Sequence, residues 1–377
     1  MSLAGCQLVP KPRLDIPTEE EIRPDVEEPL EEDPGPELPP EESRNRVAVL
    51  VPTSGSNAGV GQSIANAANL ALLDAGGERI RITVYDTARG GAVAAANQAL
   101  AEGNGLFLGP LLADDVRAVA PVARRAGVPV ISFSNDTSIA GGGVYLMGFT
   151  PGQSIARVVG FAHERGLDRF GALVPTGVYG RRASQGMIDA VEDAESRLVG
   201  VETYDGAPGS LRTAVARLHG LGPLDAVLIA DGGRNAAAAA PLIRSGASAG
   251  IRLLGTELWA TETGLGRTAA LRGAWYASVG DTMFNQLRTR YRARFGANPY
   301  RLASLGYDSV LLTVRIAKNW RLGRPFPERE LRDPTGFAGV DGAFRFNSAG
   351  IAERSLEVRE VTASGTIVVS PAPRSFD

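Results

Sequence analysis

The stretch RVAVLVPTSGSNAGVGQSIANAANLALL (46–73) decides the fold. It opens with a short apolar run carrying the β-branched Val47, Val49 and Val51, the composition of a strand buried on both faces of a parallel sheet. Pro52 ends that strand, because it has no N–H for the ladder and fixes its own φ. A hydroxyl and glycine loop follows, Thr53-Ser54-Gly55-Ser56-Asn57, and then a helix whose Ile64, Ala68, Ala71 and Leu72 recur at helical spacing. In open α/β sheets ligands collect at the carboxyl ends of strands, which makes Thr53, Ser54 and Gly55 the first candidate binding residues.

The same unit repeats outward from there. IRITVYD (80–86) reads as a second strand, 92–102 as a helix, LFL (106–108) as a short strand and 116–126 as a helix. Gly109-Pro110-Leu111-Leu112 stops one strand, and the strand 128–132 opens into the loop Phe133-Ser134-Asn135-Asp136-Thr137-Ser138. Strands alternating with helices imply a parallel sheet, so these three polar loops leave one sheet edge together. Ser, Thr and backbone N–H groups at helix starts suit a carboxylate, although ordinary helix capping uses the same residue types. Gly59-Val60-Gly61 fails as a dinucleotide fingerprint, because its glycines lie several residues past the strand and Ile64 stands where a small residue is wanted.

Near Phe149-Thr150-Pro151 the pattern restarts. GALVP (171–175) repeats the opening strand, and Thr176-Gly177-Val178-Tyr179-Gly180 repeats its loop. Helices at 183–198 and 211–218 and strands at 198–204, 226–230 and 252–255 continue the alternation, with loops at Asp231-Gly232-Gly233 and Thr256-Glu257-Leu258-Trp259. Helices at 286–295 and 302–319 and a hairpin-rich end over 342–369 complete the chain. The fold class expected is α/β, with two Rossmann-like lobes built on parallel sheets and a cleft between them, where ligands prefer to bind.

Composition narrows the function. The chain has 377 residues, 44% hydrophobic and 21% charged, enough to bury large cores, and its formal net charge of -3 gives no electrostatic reason to expect nucleic acid. The arginines at 288, 290, 292 and 294 are spaced by two and so spread around a helix. With one cysteine and two histidines, scattered as Cys6, His163 and His219, neither an intramolecular disulfide nor a Cys/His metal site is expected. Both histidines sit just before helix-ending glycines, where an imidazole meets the last carbonyls. No Gly-x-Ser-x-Gly elbow and no marked carboxylate pair occur, so no enzymatic activity and no cofactor are expected.

Residues 1–45 read as an anchor and a tether. Leu3-Ala4-Gly5-Cys6 resembles a bacterial lipobox, in which Cys6 is the lipidated residue, and acyl chains contribute about 0.8 kcal/mol per buried CH₂. The following Pro-, Glu- and Asp-rich segment cannot bury enough apolar surface to fold and is expected to be disordered. No run of eighteen apolar residues occurs, so membrane attachment is expected through the lipid alone.

VAVLVPTSGSNAGVGQSIANAANLAL, GPLL (109–112), PVISFSND (129–136), LLGTELW (253–259) and YRARFGANPYRLASLGYDSVLL (291–312) together resemble the type I periplasmic-binding-protein family. Within it the last run, the GPLL and GTELW turns and the lipobox with its acidic tether are most similar to the penicillin-binding-protein activator lipoproteins of Gram-negative bacteria. That resemblance implies stimulation of peptidoglycan synthesis, with a membrane-anchored penicillin-binding protein as partner and an outer-membrane-anchored periplasmic location. The alternative is a solute-binding protein of an ABC transporter for branched-chain or other amino acids. The resemblance also implies three crossings between lobes, one lobe combining 46–150 with 279–340 and the other 151–278 with 341–377. In such receptors the ligand carboxylate meets groups matching Ser132, Ser134 and Thr137 and loops near Gly109, while the ammonium meets an acid matching Glu257. Tyr179 matches a cleft tyrosine, and Pro110, Leu111, Phe133, Asn135, Asp231 and Trp259 complete the expected site. The loop 132–138 lacks the family's alanine-threonine pattern, a departure that counts against an amino-acid ligand.

Overall fold

The computed structural model describes residues 43–373 and Phe376; the lipobox at Cys6 and the tether up to residue 42 lie outside the described residues. The first lobe opens with β1 (Asn45–Val51), α1 (Ala58–Asp74), β2 (Ile80–Asp86), α2 (Ala92–Ala101), β3 (Leu106–Leu108), α3 (Ala113–Ala126), β4 (Val130–Ser132) and β5 (Val144–Leu146). The five strands form one parallel sheet in the order β2-β1-β3-β4-β5. β1 explains the architecture: Val47, Val49 and Val51 point into the core that holds α1, while Ala48 and Leu50 point into the core under α2 and α3. A strand apolar at every position is one covered on both faces.

The second lobe contains α4 (Pro151–His163), β6 (Arg169–Pro175), α5 (Val178–Asp193), β7 (Arg197–Tyr204), α6 (Ser210–Gly220), β8 (Ala226–Ile229), α7 (Gly233–Ile243), β9 (Arg252–Gly255) and β10 (Trp275–Ser278). The chain then returns to the first lobe with α8 (Thr282–Phe295) and α9 (Ala303–Ala317), whose buried faces join the α1 core. The small antiparallel sheet β11 (Phe337–Gly339), β12 (Gly342–Phe346) and β13 (Ala352–Arg354) follows, and then β14 (Glu357–Thr362) and β15 (Gly365–Ser370) add to the edge of the second sheet. That sheet runs β15-β14-β10-β9-β8-β6-β7, antiparallel only at β14 and β15.

Three crossings thus join the lobes, after β5, after β10 and after β13. The third differs from the expected division. Phe344, Phe346 and Ala352 pack in the first-lobe core, and Leu146 bridges to Ile351, so 341–354 stay with the first lobe and only the strands from β14 onward belong to the second. The cause is aromatic packing: the ring of Phe346 meets Tyr145 edge-on at 5.3 Å.

Both lobes seat the helix after their first strand in the same way. A Cβ on Gly61 of α1 would come within 1.9 Å of the Pro52 carbonyl oxygen, and one on Gly180 of α5 within 1.6 Å of the Pro175 carbonyl oxygen. Each glycine lets a helix turn press against the end of a strand closed by proline. Close packing is therefore the work of Gly61, which the failed nucleotide fingerprint left without a role.

Candidate functional site

A cavity of about 500 Å³ opens between the lobes, within the ordinary range for small-molecule sites. Leu111, Phe133, Ser134 and Asn135 of the first lobe line it, and Tyr179 and Glu257 of the second. The remaining expected residues do not. Thr53 and Ser54 fold back on the end of β2: the Thr53 N–H donates to Asp86 Oδ1 at 2.9 Å, and the Ala88 N–H to the same oxygen at 3.0 Å. Burial works against the Asp86 charge, but the Ser54 hydroxyl and the N–H groups of Ala88, Thr53 and Ser54 outweigh it and pull the carboxyl down to about 2. Gly55 is exposed at the tip of this loop, which reaches the cavity through Asn57 instead.

The other two first-lobe loops behave alike. Ser132 is fully buried; its Oγ donates to the Pro110 carbonyl at 3.1 Å and accepts the Ser134 N–H at 3.0 Å. Gly109 is buried, with its N–H on the Ile131 carbonyl at 2.7 Å. Thr137 is exposed and opens a short 3-10 turn on a separate surface groove. In the second lobe Trp259 is fully buried and donates its indole N–H to the Asp231 carbonyl at 2.9 Å. The Asp231 carboxylate is taken by the Tyr204 hydroxyl at 2.6 Å and by Asn235 at 2.8 Å. These residues shape loops and leave the cavity to others.

Glu257 is the polar centre of the second-lobe wall. Tyr179 donates its hydroxyl to Oε1 at 3.1 Å, Oε2 lies 2.6 Å from Ser154 Oγ, and the Glu257 N–H donates to that same Oγ at 3.3 Å. Ser154 has one hydroxyl proton, which the Pro151 carbonyl also claims at 3.0 Å. A protonated Glu257 ends the competition by donating to Ser154, and burial indeed raises the Glu257 carboxyl, against the pull of Ser154, its own N–H and Tyr179. Burial and the neighbouring Glu257 likewise raise the Tyr179 hydroxyl, so it acts as a donor throughout the physiological range.

Sequence reasoning missed several lining residues. Phe149 and Ser154 stand at the first crossing, Val279 at the second and Arg354 and Leu356 at the third, while Arg301 and Leu302 precede α9. Arg354 had a readable signal: in the alternation of β13 it falls on the same inward face as the buried Ala352. Arg301 had none beyond its place in the resemblance-bearing run. Across the mouth, Asp136 joins the lobes, 2.5 Å from Arg117 of α3 and 2.7 Å from Arg182 of α5.

The histidines end their helices as expected, in the last turns of α4 and α6. His163 Nδ1 lies 2.9 Å from Asp168 Oδ1 and 3.0 Å from Ser196 Oγ. Both partners meet one nitrogen, which is not the arrangement that relays a proton from hydroxyl to carboxylate. Among the described residues, no cluster suited to a metal ion occurs and no helix is long and apolar enough to cross a membrane.

The parallel first sheet, the two lobes and the cleft at the strand ends define a bilobal binding protein. The periplasmic binding protein family model matches residues 45–366, and the chain belongs to that family. An uncharacterised protein of Rickettsia prowazekii is 26% identical over 179 residues, 47% of this chain and 48% of that one; the match thus spans about half the length of that curated relative. Among solved structures, the C-domain of LpoA from Haemophilus influenzae, described as a regulator of PBP1A, is similar with a TM-score of 0.68 and 17% identity, covering 86% of this chain and 100% of that one. A leucine-binding protein of Thermotoga maritima gives a TM-score of 0.61 at 19% identity, covering 87% of this chain and 98% of that one. A branched-chain amino acid ABC transporter ligand-binding protein of Burkholderia xenovorans gives 0.68 at 14% identity, with 88% and 96% covered. At such identities the likeness speaks for the fold alone. The family is one of periplasmic binding proteins.

Proposed function

We propose that the chain is a non-catalytic periplasmic regulator of peptidoglycan synthesis, of the penicillin-binding-protein-activator kind, working on a membrane-anchored synthase. One observation carries the reading away from amino-acid transport: Glu257, the acid in position to meet a ligand ammonium, already has Ser154 and Tyr179 as partners, and burial raises its carboxyl. Of the hydroxyls matched to a ligand carboxylate, Ser134 lines the cavity and Ser132 and Thr137 do not. The lipobox at Cys6 and the acidic tether support a protein partner reached across the periplasm from the outer membrane. Reconstitution tests it: glycan polymerisation or cross-linking by a partner penicillin-binding protein rises when this protein is added, and an unchanged rate refutes the reading.

A second reading, a receptor for a small solute, is favoured by the open cavity of about 500 Å³. The two readings are compatible if a cleft ligand tunes the regulator.

A further inference from the structure

Arg354 is a buried cation that forms no direct ion pair among the described residues. It is 8% exposed and lines the cavity, yet among the described residues its guanidinium makes one hydrogen bond, from Nη2 to the Met147 carbonyl at 2.7 Å, and Nε and Nη1 have no acceptor. The rings of Phe149 and Phe344 cover it, their centroids 4.9 and 5.3 Å from the guanidinium carbon. Among the described residues no carboxylate forms an ion pair with it. Asp341 and Asp308 act on it through space, but the direct partner of Asp341 is Arg301, whose Nη1 lies 2.5 Å away. Asp308 is committed to the Val340 N–H at 2.7 Å, and burial beside Asp341 lifts its carboxyl well above the usual range, which reduces the negative charge it offers.

An unpaired buried guanidinium is costly, and ring faces offset only part of that cost while leaving in-plane N–H donors open. The deficit lies at the cavity wall. Arg301 lines the same wall and has its own Nη2 without an acceptor. The exposed lining of the cavity is mostly apolar, with Leu111, Phe133, Phe149, Leu302 and Leu356 contributing. An α-amino acid would bring an ammonium into this setting, where Asp341 is fully buried beside Arg301.

We propose that the cleft binds a small organic monocarboxylate with an apolar body and no ammonium, its carboxylate held by Arg354 and Arg301. The unpaired Arg354 nitrogens are themselves buried, so engagement includes a rotation of the guanidinium, which gives up its one hydrogen bond, to Met147. This inference rests on the cavity being a ligand site and is independent of any synthase partner.

The test uses the full chain with three probes of one carbon skeleton, isocaproate, isocaproamide and L-leucine, and with hydrocinnamate as an aromatic acid, followed by thermal shift and titration calorimetry. At least one of the two acids is expected to raise the melting temperature, and isocaproate to bind about tenfold or more tighter than either isocaproamide or leucine. Arg354→Gln is expected to weaken acid binding about tenfold or more. Because that variant can also disturb folding, Leu111→Trp, which fills the cavity from a partly buried position, provides a second check and should abolish binding with the fold intact. Equal binding of acid and amide, tighter binding of leucine, no response to either acid at millimolar concentration, or full binding by Leu111→Trp would each overturn the proposal. A protein that binds isocaproate but leaves a synthase unstimulated refutes the regulator reading alone.

Discussion

The two walls of the cleft grow from the same β-loop-α unit and end up chemically opposite. On the first-lobe wall, Thr53 and Ser132 turn away from the cavity to hold their own loops, on Asp86 and Pro110, and Leu111 and Phe133 share the surface with Ser134 and Asn135. On the second-lobe wall a carboxyl, a phenol and a hydroxyl converge at the cavity edge through Glu257, Tyr179 and Ser154. Residue type at a strand end thus states what a loop can bond, and the loop's own backbone decides whether a ligand is offered anything.

What the walls share is the closest test of their common origin in packing. Gly61→Ala and Gly180→Ala each force a methyl group onto a backbone carbonyl oxygen, at 1.9 and 1.6 Å. Each should cost on the order of 3 kcal/mol in denaturant unfolding, with Gly180→Ala the more severe. Tolerance of alanine at either position would show that the two lobes do not seat their helices alike.

What separates the walls should appear as opposite signs. Asp86 holds the first-lobe loop with its carboxyl pulled down to about 2, so its stabilisation is present above the unfolded value near 4 and is lost as pH falls toward 2. Asp86→Asn is therefore expected to cost about 1 kcal/mol at pH 7, with the difference from wild type shrinking below about pH 4. Glu257 is raised instead, so its contribution is fully present below its unfolded value and is lost as pH climbs through its folded one. Glu257→Gln keeps an acceptor for Tyr179 and supplies a donor for Ser154, and should equal or exceed wild-type stability at pH 8. Loss of stability in Glu257→Gln at pH 8 would mean that the ionised carboxylate is needed in the folded protein.

Much of the scaffold was legible because burial on both faces leaves a mark in composition: β1, β3, β8 and β9 are nearly continuous apolar runs. The helix α7 was not, since its face is a run of alanines interrupted by Pro241 and carries little periodicity. β10, reading WYAS, was also missed, because it is four residues long and lies amid short turns. In the site, Tyr179 and Glu257 were readable from their loops, whereas Ser132, Asp231 and Trp259 were equally good by residue type and point into the protein's own framework. Arg301 and Arg354 come from distant segments that only the crossings bring together, and no local pattern encodes that meeting.

The smallest effect concerns how the walls are held together. Asp136 is shared by Arg117 of its own lobe and Arg182 of the other, and the Arg182 side chain is 22% exposed. Arg182→Ala should cost only about 1 kcal/mol in global stability. It should nonetheless widen the distribution of distances between spin labels placed on α3 and α5, measured by pulsed electron paramagnetic resonance. An unchanged distribution would show that this ion pair does not restrain the lobes.

The central claim is that the first-lobe residues Thr53 and Ser132 serve their own loops and that Glu257 is already partnered, so that no free acid is offered to the ammonium of an amino acid. Calorimetric titration of the folded protein with L-leucine tests this most directly. The account predicts no saturable heat up to millimolar ligand; micromolar binding that is lost in both Ser132→Ala and Glu257→Gln would contradict it.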